Sequence, residues 1–167
     1  MNERQLEMMM RIAQILTQKY DVVCTNPPYM GGSGMNTTLS DFIKKNYPDY
    51  KSDLFSAFVI KCMEMAKSEG YLGFLTPYVW MFIQSYEKMR NYIYHTRTIE
   101  TLIQIEYSAF EEATVPICTF VLKNSKVCKN GAYVRLAEFH GGMELQRQKT
   151  LEAIADHKCG FYYERNT

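Results

Sequence analysis

Val22-Val23-Cys24-Thr25-Asn26-Pro27-Pro28-Tyr29 is the stretch on which the reading of this chain turns. A short hydrophobic run stops abruptly in an asparagine, two prolines and an aromatic ring. Its hydrophobic residues are consecutive rather than alternating, which predicts a parallel strand over 21–26, covered on both faces. Pro27 biases Asn26 toward extended backbone. Pro27 and Pro28 fix two successive φ angles and offer no N–H donor. The resulting corner is stiff and rich in acceptors: the Asn26 side-chain carbonyl, the Pro27 backbone carbonyl and, beside them, the Tyr29 ring. Two acceptors can hold both N–H groups of an exocyclic amine while the tyrosine stacks on its ring. The plainer alternative is a strand-ending turn.

Outward from this corner, residues 2–19 read as a helix that Asn2 can cap. Its stripe of Leu6, Met9, Met10, Ala13 and Leu16 is expected to pack in the core rather than against a partner. Residues 30–38 (MGGSGMNTT) are expected to form a flexible loop, a lid beside the corner in its functional version. A phosphate cradle is disfavoured there, because no Lys-Ser/Thr pair closes the loop. Ser40 to Tyr47 predicts a short helix ending before Pro48. Ser52 is placed as the cap of a clearer helix, whose apolar face holds Leu54, Phe55, Phe58, Val59, Cys62, Met63 and Ala66. Gly70 is its expected stop. Asp53 reads as a first-turn charge rather than a catalytic group, and Phe55 as core. A strand over 71–76 ends at Pro77, and helix in one or two pieces covers 78–95. Strands follow at about 99–106 and 116–122. Asn130-Gly131 predicts a turn, followed by a strand over 133–139 and a helix over 143–158. Residues 159–167 carry no assignment.

The alternation of helix and strand is an α/β pattern, and the two successive strands 99–106 and 116–122 predict an antiparallel pair at one edge of the sheet. With 167 residues, 47% hydrophobic and 22% charged, the composition is that of a folded chain of one domain, 1–167, rather than a disordered one. Net charge is +1, so no overall basic field announces a nucleic acid. The five cysteines are scattered without a CxxC pair, which suits reduced thiols in the cytoplasm and neither a disulfide framework nor a metal site. No apolar run approaches the ~20 residues of a membrane span.

Three stretches carry a resemblance: YDVVCTNPPYMGGSGM (20–35), KSDLFSAFVIKCMEMAKSEGYLGFLTPYVWMF (51–82) and SAFEEATVPICTFVLKN (108–124). Together they resemble the adenine-specific DNA methyltransferases, in particular the PglX family of BREX phage-exclusion systems, with the enzymes of restriction-modification as wider relatives. The resemblance implies a Rossmann-like S-adenosylmethionine-dependent methyltransferase fold, a mixed sheet with helices on both faces and its last strand inserted antiparallel. It implies catalytic roles for Asn26, Pro27, Pro28 and Tyr29, with Tyr29 and Phe110 stacking on a flipped adenine; Phe110 reads equally well as a core phenylalanine under the sheet.

The chemistry agrees with those residue types. Adenine N6 is a poor nucleophile because its lone pair is delocalised into the ring. Acceptors at Asn26 and Pro27 favour a more pyramidal nitrogen and oppose the charge that builds on it. A sulfonium methyl donor needs no general base before attack, so neither a histidine nor a carboxylate pair is required. The glycine-rich turn with which the family binds S-adenosylmethionine is absent. Only one helix precedes Asn26, leaving no room for the first half of the sheet. The chain is therefore expected to be the catalytic, target-base half of a methyltransferase domain, inactive alone and binding no cofactor. DNA is the expected partner of the full-length enzyme, and a homo-oligomer is expected through the exposed sheet edge. Alternatives are a protein-glutamine or RNA methyltransferase with the same motif, or a non-catalytic interaction module.

Overall fold

The computed structural model describes residues 2–107 and 115–167. Helix α1 (Glu3–Thr17) opens with a reciprocal cap: the Gln5 N–H donates to Asn2 Oδ1 at 2.8 Å, and the Asn2 N–H to Gln5 Oε1 at 3.0 Å. There follow β1 (Tyr20–Thr25), α2 (Thr37–Asn46), α3 (Leu54–Met65), β2 (Ala66–Pro77), α4 (Glu87–Thr96) and β3 (Thr98–Gln104). The remaining elements are β4 (Ile117–Lys123), β5 (Asn130–Arg135), α5 (Gly142–Ala155) and β6 (Tyr162–Asn166). The strands form one mixed sheet in the order β1-β2-β4-β3-β5-β6. β1 runs parallel to β2 and β3 parallel to β5, while β4 is antiparallel to both its neighbours.

Successive residues of a strand face opposite sides, and the sheet uses both. Phe74, Phe120 and Leu102 lie in register on one face and form the main core with Phe55, Val59 and Met63 of α3 and Met89 and Ile93 of α4. Their neighbours Ile103 and Val134 point the other way, where they pack with Leu136, just beyond β5, and with Ala153 of α5. Helices thus flank both faces, as expected of this α/β fold.

Several expectations are corrected. The strands 99–106 and 116–122 are antiparallel, but not at an edge: β4 lies between β2 and β3. Its Ile117, Cys118, Phe120 and Leu122 are all buried, and so apolar a strand gains most with a neighbour on each side. The helix over 54–65 ends before Gly70 because of a distant side chain. The Asn124 amide donates to the carbonyls of Met63 (3.0 Å), Ala66 (3.3 Å) and Lys67 (3.0 Å), satisfying acceptors that a helix end leaves open. Gly70 serves a close approach instead, since a Cβ there would stand 2.7 Å from the Asp21 carbonyl oxygen of β1. Asn130 and Gly131 form no turn but open β5, and a Cβ on Gly131 would lie 2.3 Å from the Ile99 carbonyl oxygen. The unassigned end supplies β6, paired along the outer side of β5.

The largest departures lie at the start of the chain. No residue of α1 is buried, and its apolar stripe of Leu6, Met9, Met10 and Leu16 faces solvent, not the core. The helix is tied to its surroundings by the Tyr20 hydroxyl on the Ile15 carbonyl and by Lys19 on the Glu64 carbonyl. β1 is not covered on both faces either: Val23 packs on the core, while Val22 is 62% exposed and Cys24 is exposed. As the first strand of the order, β1 pairs with β2 alone among the described residues.

Candidate active site

The corner sits where the sheet stops supporting it. The last partner pair of β1 and β2 is Thr25 with Phe74, and Asn26 follows directly. This is the carboxyl end of two parallel strands, where open α/β sheets place their ligands. Pro27 is among the most deeply buried residues of the molecule, whereas Asn26 and Pro28 are exposed. A buried proline ring with fixed φ anchors the backbone, so the Asn26 side chain is presented from a rigid base. No side-chain hydrogen bond within the described protein occupies the Asn26 amide.

Tyr29 returns over the end of β2. Its hydroxyl donates to the Leu75 carbonyl at 3.1 Å, one residue beyond the point where β1 leaves the ladder. Its ring is 37% exposed and meets Phe55 edge to face, with centroids 6.4 Å apart. Phe55 is itself buried and packs on Tyr86 at 5.3 Å, which bears out its reading as core. Burial raises the Tyr29 phenol above its ordinary range, and the nearby Cys118 sulfur adds to the shift. Near neutral pH the hydroxyl stays protonated and keeps its donor role. Phe110, the second ring expected against the base, lies outside the described residues.

Asp53 is the residue whose part the sequence did not show. Asp53, not Ser52, caps α3, accepting from the Phe55 N–H at 3.1 Å. The same oxygen accepts from the Met30 N–H at 2.9 Å, and the Met30 carbonyl accepts from the Leu54 N–H at 2.9 Å. A bridge between Gly31 and Asp53 extends this link. The chain leaving Tyr29 is therefore stitched to the start of α3. Two cap-competent residues, Ser52 and Asp53, precede the apolar run in the sequence; the one next to the helix won. The Ser52 hydroxyl donates to the Ser85 carbonyl instead, at 3.2 Å. The loop 30–38 is also more regular than expected. Gly32–Gly34 makes a 3₁₀ turn, and Asn36 starts α2 by accepting from the Leu39 N–H at 2.9 Å.

The described residues do not fit an S-adenosylmethionine pocket by themselves. Beyond β1 no strand supplies a second wall, and no glycine-rich turn precedes the corner. The corner is suited to holding an amine and stacking on its ring.

Comparison with known proteins agrees with this geometry. Residues 2–110 match the profile of the Eco57I restriction-modification methylases. The chain is 40% identical over 116 residues to the adenine-specific methyltransferase BrxX of Escherichia coli O9:H4, covering 68% of this chain and 10% of that protein. It is 31% identical over 163 residues to the adenine-specific methyltransferase PglX of Lacticaseibacillus casei, covering 95% of this chain and 13% of that protein. It thus spans only a small part of the length of these relatives. A class I S-adenosylmethionine-dependent methyltransferase of Listeria monocytogenes superposes with a TM-score of 0.63 at 19% identity, over 87% of this chain and 44% of that one. With the matched profile reaching through the corner, α3 and the first three strands, the chain belongs to the Eco57I restriction-modification methylase family.

Proposed function

We propose that residues 1–167 are one domain, the target-base half of an adenine-specific DNA methyltransferase of the phage-defence or restriction type. Asn26 and the Pro27 carbonyl accept the two N–H groups of adenine N6, and Tyr29 stacks on the flipped base. Phe110 approaches the base from another side. Asn26 standing exposed beside a fully buried Pro27, at the carboxyl end of β1, is the observation that carries this reading. These residues bind, orient and polarise the amine; the methyl donor, S-adenosylmethionine, is held by parts of the enzyme outside this chain. The isolated chain is accordingly inactive. Its free cysteines suit a reducing cytoplasm, and no described helix is long and apolar enough to cross a membrane.

The test compares fluorescence anisotropy of two single-stranded oligonucleotides, one with a lone adenine among thymines and one with purine lacking the 6-amino group in its place. Two hydrogen bonds of about 0.5–1.5 kcal/mol each predict a preference for adenine of roughly 5- to 150-fold. Asn26→Ala cuts that preference to the share of the Pro27 carbonyl while changing stability by less than about 0.5 kcal/mol, because the side chain is exposed. Equal affinity for the two strands, or competition by a glutamine peptide rather than by adenosine, overturns the reading in favour of a protein-amide substrate. Stronger binding to an RNA strand of the same sequence points to RNA.

A further inference from the structure

We infer that a phosphate-binding pocket lies next to the corner and grips the DNA backbone beside the flipped nucleotide. A pocket of about 420 Å³ opens between the glycine turn, α2 and the residues before α3, lined by Gly32, Ser40, Lys44, Lys51 and Ser52 over a floor of Met35 and Ile43. Three observations set it apart from ordinary lysine-bearing surface.

The first is charge without a partner. Lys61, Lys67, Lys88, Lys123, Lys129 and Lys149 each meet a carboxylate. Among the described residues Lys44 and Lys51 meet none, as is true also of Lys19, Lys45, Lys126 and Lys158; what distinguishes Lys44 and Lys51 is that they line one pocket together and no carboxylate lines it. The second is distance. Gly32 lies three residues from Tyr29, so the pocket begins at most ~10 Å along the chain from the stacking ring. The third is rigidity. The Met30–Asp53 and Leu54–Met30 hydrogen bonds lock the corner to the segment that carries Lys51 and Ser52. Backbone grip and base site are thus parts of one stiff unit.

A base leaves its stack only if the strand on either side is held, and lysines hold phosphodiesters without regard to sequence. Lys44 reaches the pocket from the last turn of α2 and Lys51 from the turn before α3. Ser40 supplies a hydroxyl donor. Gly32 leaves open space, with nothing within 4 Å of where a Cβ would stand. A phosphodiester entering the pocket therefore finds two lysines and a serine hydroxyl in its lining.

This inference rests on the reading of the corner as a nucleotide site, and its test is kept separate from it. The probe is an abasic single strand, which has phosphates but nothing for Asn26 or Tyr29 to hold. Anisotropy in low salt should show binding that the double variant K44Q/K51Q weakens about tenfold. The slope of log K against log salt should become about 1.4 shallower, the share of two phosphate contacts on a single strand. K44R/K51R should retain binding, and K67Q/K123Q, at the opposite end of β2, should leave it intact. Circular dichroism confirms that each variant is folded. Unchanged abasic binding in K44Q/K51Q, or no binding by the parent chain, overturns the pocket whatever becomes of the adenine preference. Amide shifts at Gly32 and Lys51 produced equally by inorganic phosphate and by the strand would mark a free-anion site and also overturn it.

Discussion

At the scale of single residues, burial decides which side chains react and which only pack. Cys62 and Cys118 are buried, and burial pushes both thiols up, Cys62 to about 11. Cys24 and Cys128 are exposed. At pH 8 a thiol of pKa about 11 is ionised in about one molecule in a thousand, and the thiolate is the reactive form. Treatment with a disulfide reagent at pH 8 should therefore modify Cys24 and Cys128 rapidly, sparing Cys62 and Cys118 until the protein is unfolded. Mass spectrometry of the labelled peptides checks this, and early labelling of Cys62 would contradict the packing of α3. The same contrast organises the corner. Pro27 is sunk so that Asn26 can stand clear, and Tyr29 ties its hydroxyl to Leu75 while leaving its ring partly open.

At the scale of elements, the ends of α3 are set by residues far apart in sequence. Asp53 closes its start and fastens Met30 to it, while Asn124 closes its end from across the sheet. Asn124→Ala leaves the carbonyls of Met63, Ala66 and Lys67 without that donor in a buried setting. The expected cost is about 1–3 kcal/mol, read as a lower denaturant midpoint with an unchanged slope. A variant as stable as the parent would mean that α3 needs no donor from Asn124 at its carboxyl end.

At the scale of the molecule, the first strand and the helix before it both leave apolar side chains uncovered. Among the described residues β1 and β6 are the two edge strands; β1 leaves Val22 exposed, and α1 presents Leu6, Met9, Met10 and Leu16 to solvent. An open strand edge beside apolar surface invites pairing with another chain. We propose a homo-oligomer that covers it. Light scattering should find a dimer or larger assembly for this chain and a smaller species for Val22→Lys, since a lysine on an edge strand opposes pairing. A monomeric parent chain would count against the proposal.

Local chemistry was legible in the amino-acid order. The Asn26–Tyr29 corner, the cap at Asn2 and the strand segments near 21, 71, 99 and 116 follow from proline geometry, capping and runs of apolar residues, which act over a few neighbours. Asn26 directly follows β1, and both Asn26 and Tyr29 are exposed. What lay beyond reach depends on partners distant in the chain. β4 slots between β2 and β3 because apolar strands gain from two neighbours, and Asn124 stops a helix that began seventy positions earlier. Lys44 and Lys51 share a pocket because Asp53 holds the glycine turn against α3. Periodicity can say that the stripe on α1 is apolar. Only the tertiary arrangement decides whether anything packs against it, because burial belongs to pairs of elements and not to either one alone.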